Sequence, residues 1–128
     1  MPRQNISSGT PWEAMAGYSR AVRVGDHIYV SGTTASDASG AVQHLGDPAG
    51  QTRYVLAKIE AALAQAGASL ADVVRTRVFV RNIGDWEPVA RAHGEVFGSI
   101  RPANTLVRAE MITPEMLVEI EAVAIVSS

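Results

Sequence analysis

Met116-Leu-Val-Glu-Ile-Glu-Ala-Val-Ala-Ile-Val126 is almost wholly apolar, yet it carries two carboxylates one residue apart, Glu119 and Glu121. Read at a period of two, Val118, Ile120, Ala122, Ala124 and Val126 share one face of a strand. Leu117, Glu119, Glu121, Val123 and Ile125 share the other. The first set is small and apolar, suited to lie beneath helices. The second mixes acids with large apolar groups, so it needs a different neighbour.

Working outward, two stretches supply the helices. Asp47-Pro48 is an N-cap acid followed by proline at the first helical position. Val55, Leu56, Ile59 and Leu63 then recur at helical spacing, and Gly67 closes the helix. A second helix opens at Gly84-Asp85, carries Trp86, Val89, Ala90, His93, Val96 and Phe97 as its apolar stripe, and ends at Gly98. The remainder reads as strands. Ala21–Val24 and His27–Ser31 flank Gly25-Asp26 and predict a hairpin. Val73–Arg81 predicts a long strand, with Val74, Thr76, Val78 and Val80 facing the helices and Arg75, Arg77, Phe79 and Arg81 facing away. Thr105–Met111 and Leu117–Val126 are expected to pair, joined around Ile112–Glu115. A short first strand is expected at Asn5–Ser8, and Thr33–Gly46 reads as a loop or hairpin tip. The order β-β-β-α-β-α-β-β is an α+β pattern: a mixed six-stranded sheet with two helices on one face.

At 128 residues the chain is expected to form one domain, 1–128, large enough to bury a core without staples. It has no cysteine, which excludes disulfides and thiolate chemistry and suits a reducing cytoplasm. The N-terminal residues lack the apolar run of a secretory signal, and no stretch approaches the ~20 apolar residues of a membrane span. Net charge is −2 and acids and bases are interspersed, which argues against nucleic acid as a partner. His27, His44 and His93 show no metal-ligand spacing, so no metal is expected. The helix-free face pairs Phe79, Leu117, Val123 and Ile125 with acids and arginines. Water is a poor neighbour for that mixture, and a second subunit is expected to cover it.

Tyr18-Ser-Arg-Ala-Val22, Gly25 through Tyr29-Val-Ser-Gly32, Gln51-Thr-Arg53, Ala66 to Val74, Val78-Phe-Val80, Arg101-Pro-Ala103 and Val118-Glu-Ile-Glu-Ala122 together resemble the Rid (YjgF-like) family, in the right order over nearly the whole chain. The resemblance implies a chorismate-mutase-like two-layer sandwich assembled as a homotrimer. Its pockets would lie between subunits and bind a small molecule without a cofactor. Well-known members hydrolyse enamines and imines to keto acids and ammonia. Matched by motif, Tyr18, Ser31 and Glu119 would carry the chemistry, with Gly32 beside Ser31 in the pocket. In deaminating members an arginine after Pro-Ala clamps the substrate carboxylate, and here that position is Asn104.

Glu119 reads in two ways: an acid/base whose burial would raise its pKa, or the partner of Arg75 or Arg77. Glu121, roughly 7 Å along the strand, reads better as an ion-pair or interface residue. Asn104 lacks the charged fork of arginine, and losing those bonds would cost roughly 1.5–3 kcal/mol of binding to a carboxylate. A neutral or amide-like ligand is therefore expected, with hydrolytic deamination as the reaction. Thr105, Arg101 and Arg20 are further candidates to contact substrate, or else ordinary strand and surface residues. His93 is either a core or interface histidine or a pocket acid/base. The rivals are a non-catalytic ligand-binding or chaperone-like trimer and an endoribonuclease.

Overall fold

The computed structural model describes residues 2–127. In chain order the elements are β1 (Arg3–Ile6), α1 (Pro11–Ala16), β2 (Ala21–Val24), β3 (His27–Thr34), α2 (Pro48–Gln65), β4 (Val73–Val80), α3 (Trp86–Phe97), β5 (Ala103–Arg108) and β6 (Val118–Ile125). The six strands form one sheet in the order β1-β2-β3-β6-β4-β5. Every pairing is antiparallel except β4 with β5. The architecture is α+β, with α2 packed on β3 and β6 and α3 packed on α2.

Local chemistry explains most element boundaries. The Asp47 side chain accepts a hydrogen bond from the Gly50 amide at 2.9 Å, capping α2 ahead of Pro48. Gly25 takes φ +60° in the two-residue turn between β2 and β3, where a side chain would be strained. The core lies between sheet and helices: Ile28, Val30, Val78, Val80, Val118 and Ile120 meet Val55, Leu56, Ile59 and Leu63 of α2 and Val89 and Phe97 of α3. The alternation expected for β6 holds, since Val118, Ile120, Ala122 and Ala124 are buried while Glu119, Glu121 and Val123 are half-buried. Gln51, buried in α2, explains a polar residue at that position. Its side chain donates to the Glu115 carbonyl and accepts from the Leu117 amide, both at 2.9 Å, and so fixes the entry to β6.

Five expectations need correction. First, β5 does not pair with β6. It lies parallel to β4 at the sheet edge, Thr76 opposite Asn104, while β6 inserts between β3 and β4. A β-α-β crossover through α3 makes that parallel pairing possible. The most apolar strand takes a central place, and the mostly exposed β5 takes the edge. It also starts at Ala103 and ends at Arg108 rather than spanning Thr105–Met111. Second, Val74 is 44% exposed while Val73 is buried, because a register shift between Val73 and Arg75 reverses the faces at the start of β4. Third, α1 is an added short helix, and the first strand is Arg3–Ile6 rather than Asn5–Ser8. Fourth, β3 runs on through Thr34, and beyond it Ser36 bridges Val42 at a hairpin tip. Fifth, the chain passes Gly98 in right-handed backbone, and Arg101, at φ +57°, makes the left-handed turn into β5. In α3 itself Trp86 is exposed and Ala92 is buried.

Ile120 is fully buried between β3, β4 and the helices. Ile120→Ala is expected to lower the unfolding free energy by about 2–5 kcal/mol, measured by urea denaturation. The same truncation at Ile125, which is 40% exposed, should cost much less in the isolated chain.

Candidate functional site

The site begins with an irregularity in β3. Val30 pairs with Ala122, yet Thr33 pairs with Ile120, so Ser31 and Gly32 together oppose Glu121. This one-residue bulge turns the end of β3 and opens the pleat toward Glu119. Gly32 is the residue the geometry needs there: a Cβ at that position would lie 2.3 Å from Glu119 Oε2. The Glu119 carboxylate therefore rests against bare backbone. Burial raises its pKa, Arg20 pulls it back down, and Glu121 adds a smaller push upward.

Arg20 precedes β2 and is 4% exposed. Its Nη1 donates to the Gly32 carbonyl at 2.6 Å and to Thr33 Oγ1 at 2.9 Å. Its Nη2 donates to the Tyr18 hydroxyl at 3.3 Å, and the guanidinium lies 5.5 Å from the Tyr18 ring centre. Glu13 of α1 balances the buried charge, with its Oε2 3.7 Å from Arg20 Nε. Burial would push the Glu13 carboxyl up, but hydrogen bonds from Ser8, Thr10 and Ser7 outweigh it and hold the pKa below the ordinary value. Tyr18, Arg20, Gly32 and Glu119 line one cleft together with Trp12 and Lys58. Lys58, from α2, donates through Nζ to the carbonyls of Thr34 at 2.8 Å and Ser36 at 2.7 Å.

Ser31 sits one step behind this wall. Its hydroxyl donates to the Ser19 carbonyl at 2.7 Å and its amide to the Arg20 carbonyl at 2.9 Å. It thereby positions the segment that carries Tyr18 and Arg20. The two glutamates divide as their environments dictate. Glu121 pairs with Arg77 on β4, whereas Glu119 has no arginine partner on that strand. Glu121, Arg77, Arg75, Tyr29 and Val123 line a separate groove on the helix-free face.

The remaining candidates gather at the other end of the sheet. The Asn104 side chain donates through Nδ2 to Thr76 Oγ1 at 2.9 Å, and Thr76 Oγ1 lies 2.8 Å from His93 Nε2. All three sit on the helix side of β4 and β5, with His93 held below its ordinary pKa by burial and packed on Phe97. Thr105 is opposite Arg77 on the other face, and Arg101 is exposed at the turn into β5. Within one chain β4 separates Asn104 and Thr105 of β5 from Glu119 of β6. Among the described residues no three His, Asp or Glu side chains gather where they could hold a metal ion. Among the described residues no helix is long and apolar enough to cross a membrane.

Glu13 and Lys58 were not among the residues singled out from the sequence. Thr10-Pro11 carries the same cap-then-proline pattern as Asp47-Pro48 and could have revealed α1 and its buried acid.

The family model described as Endoribonuclease L-PSP matches residues 9–126. The chain belongs to this family, also called YjgF or Rid. It is 38% identical over 125 residues to 3-aminoacrylate deaminase RutC of Acinetobacter baylyi, covering 97% of this chain and 98% of that one. Its fold matches the crystal structure of Rv2704 of Mycobacterium tuberculosis, described as a member of the YjgF/YER057c/UK114 family. The TM-score there is 0.88 at 49% identity, covering 98% of this chain and all of that one. The YjgF protein of E. coli matches at a TM-score of 0.82 and 28% identity, over 95% of this chain and 98% of that one. The Rid fold thus frames the cleft at Glu119.

A carboxylate whose pKa is raised on folding stabilises the fold only while protonated, and that contribution is lost as pH rises through the folded pKa. Glu119→Gln should therefore melt higher than the parent at pH 8. The difference should vanish below pH 4.5, the ordinary glutamate value. Scanning calorimetry at the two pH values checks the sign.

Proposed function

We propose that this Rid-family chain hydrolyses small enamine or imine compounds to a carbonyl compound and ammonia, with Glu119 moving the protons. The observation that carries this reading is the Glu119 carboxylate itself. It is seated on the bare Gly32 backbone, its pKa is raised above the ordinary value by burial, and it faces a cleft lined by Tyr18 and Arg20. Protonated, it delivers a proton to the enamine carbon, giving the iminium form of the imine and an ionised Glu119. Ionised, it takes a proton from water as the oxygen attacks the imine carbon. Returned to nitrogen, that proton lets the C–N bond break and ammonia leave, while the hydroxyl proton passes to Glu119 as the C=O bond forms and restores its protonated state. Tyr18 and the cationic Arg20 orient the substrate, and Ser31 and Gly32 shape the wall.

The deaminase named for the Acinetobacter relative supports the reaction class. Its named substrate, 3-aminoacrylate, carries a carboxylate. Here the clamp position is Asn104, engaged with Thr76. The reading therefore favours a neutral or amide-like substrate, with Arg101 and Thr105 as further contacts from a neighbouring subunit. A homotrimer in which β5 and α3 of one subunit approach the cleft of the next would bring the two groups together and cover the helix-free face. Tyr29, Val107 and Ile125 of that face are exposed in the single chain. The lack of cysteine suits a cytoplasmic setting. The family description also names an endoribonuclease, but a net charge of −2 gives little attraction for a phosphate backbone.

Clearance of an imine or enamine generated in situ tests the reaction. Glu119→Gln should reduce kcat by about 10²–10⁴-fold, while Glu121→Gln should leave it within a few-fold. Equal activity of Glu119→Gln and the parent would sink the mechanism. Asn104→Arg should raise kcat/KM for carboxylate-bearing imines. Sedimentation equilibrium should report three chains, and a concentration-independent monomer would overturn the assembly.

A further inference from the structure

Lys58 is the single lysine of a chain that has ten arginines. An exposed surface role would be served by either residue, but this lysine is drawn from α2 into the cleft wall. Arginine cannot release its proton there, whereas lysine can. Two strong acceptors hold Nζ: the carbonyls of Thr34 at 2.8 Å and Ser36 at 2.7 Å. Its third tetrahedral position meets only Ser36 Oγ, at 3.5 Å. Two carbonyls match the two N–H bonds of a neutral amine and leave its lone pair unengaged. Among the described residues no carboxylate lies within ion-pair distance of it.

We propose that the Lys58 amine captures small aldehydes or ketones covalently, as a Schiff base, in the cleft it shares with Tyr18, Arg20 and Glu119. The nitrogen lone pair attacks the carbonyl carbon, a C–N bond forms, and the C=O pair moves to oxygen. Oxygen takes a proton and nitrogen loses one, giving a neutral carbinolamine. A second proton, from Glu119 directly or through water, converts the hydroxyl to departing water as the nitrogen pair forms C=N, and the proton left on nitrogen then returns to Glu119 by the same route. The net change is amine plus carbonyl to imine plus water, with nothing oxidised or reduced. Burial and the Arg20 charge bring the Lys58 pKa down to about 8, so roughly a tenth is free base at pH 7. The groups facing it are Arg20 before β2, Glu13 in α1, Asp37 after β3, and Tyr18 and Glu119 on the cleft wall. Glu13 and Asp37 lie below their ordinary values, so both stay ionised near neutrality and Lys58 is the group that titrates near pH 8.

The inference uses the same cleft as the hydrolysis but does not depend on it. The whole protein is incubated with propionaldehyde or pyruvate and reduced with cyanoborohydride, and the modified sites are mapped by peptide mass spectrometry. The only competing amine is the α-amino group, whose ordinary pKa of about 8 makes it an internal reference. The expected result is a reduced adduct on Lys58, formed at least as fast as that on the α-amine. Its rate should climb as pH rises through 8. Lys58→Arg, which keeps a cation to tie Thr34 and Ser36, should lose the side-chain adduct while its circular dichroism is unchanged. An adduct confined to the α-amine overturns the inference, whether or not imine hydrolysis is detected. A Lys58 adduct in a protein that hydrolyses no imine supports it and counts against the hydrolytic reading alone.

Discussion

A buried guanidinium organises this molecule. Arg20 is almost fully enclosed, and an unpaired charge so placed would cost several kcal/mol. Its compensation comes from four places in the chain: Glu13 of α1, the Tyr18 hydroxyl, the Gly32 carbonyl and the Thr33 hydroxyl. Those groups lie in a helix, a connecting segment and a bulged strand that have no other reason to converge. Glu13 in turn is kept ionised by the Ser8 and Thr10 hydroxyls, so the N-terminal segment is drawn onto the sheet. The cleft at Glu119 is the space left when these demands are met together.

The sheet separates two kinds of work. Its helix side is an ordinary apolar core, closed by β6 at the centre. Its other side keeps charges in register: Arg77 opposite Glu121, Arg75 opposite Val123, and Phe79 opposite Glu119. The pairing of Glu121 with Arg77 removes both from competition for the cleft. Glu119, two residues away, meets an aromatic neighbour and a glycine and is left available. The difference between two chemically identical side chains is thus one of registry alone.

The parts of the fold readable from sequence are those set by near neighbours. The cap at Asp47-Pro48, the turn at Gly25-Asp26 and the alternation of β6 are each written in a few consecutive residues. An ion pair for Glu121 was also readable, because the arginines of β4 alternate with the same period, whereas the separate part given to Glu119 came from the motif resemblance. Strand order was not, since the parallel partnership of β4 and β5 is decided by a crossover and by competition for the sheet centre. The bulge at Ser31-Gly32 was hidden because no local pattern distinguishes an inserted residue from a longer strand. Asn104 was placed beside the ligand by motif, yet its amide is occupied with Thr76 in the single chain. Lys58 drew no reading from the sequence, because its place on α2 matters only once the chain after β3 has folded over it.

The bulge has one more consequence. Before it, Ile28 and Val30 point to the helices; after it, Thr33 does, and Thr34 takes the row of Glu119. Parity along β3 is therefore broken once, at Ser31-Gly32. A single-residue deletion there would restore plain alternation: the residue left would oppose Glu121 alone, Thr33 would still face Ile120 and Thr34 would still face Glu119. The extra residue therefore leaves the inside and the outside of β3 as they are and alters its path instead, adding bend and twist where the strand passes Glu119. Shortening β3 by one residue at this point would straighten the cleft wall and leave the core composition unchanged.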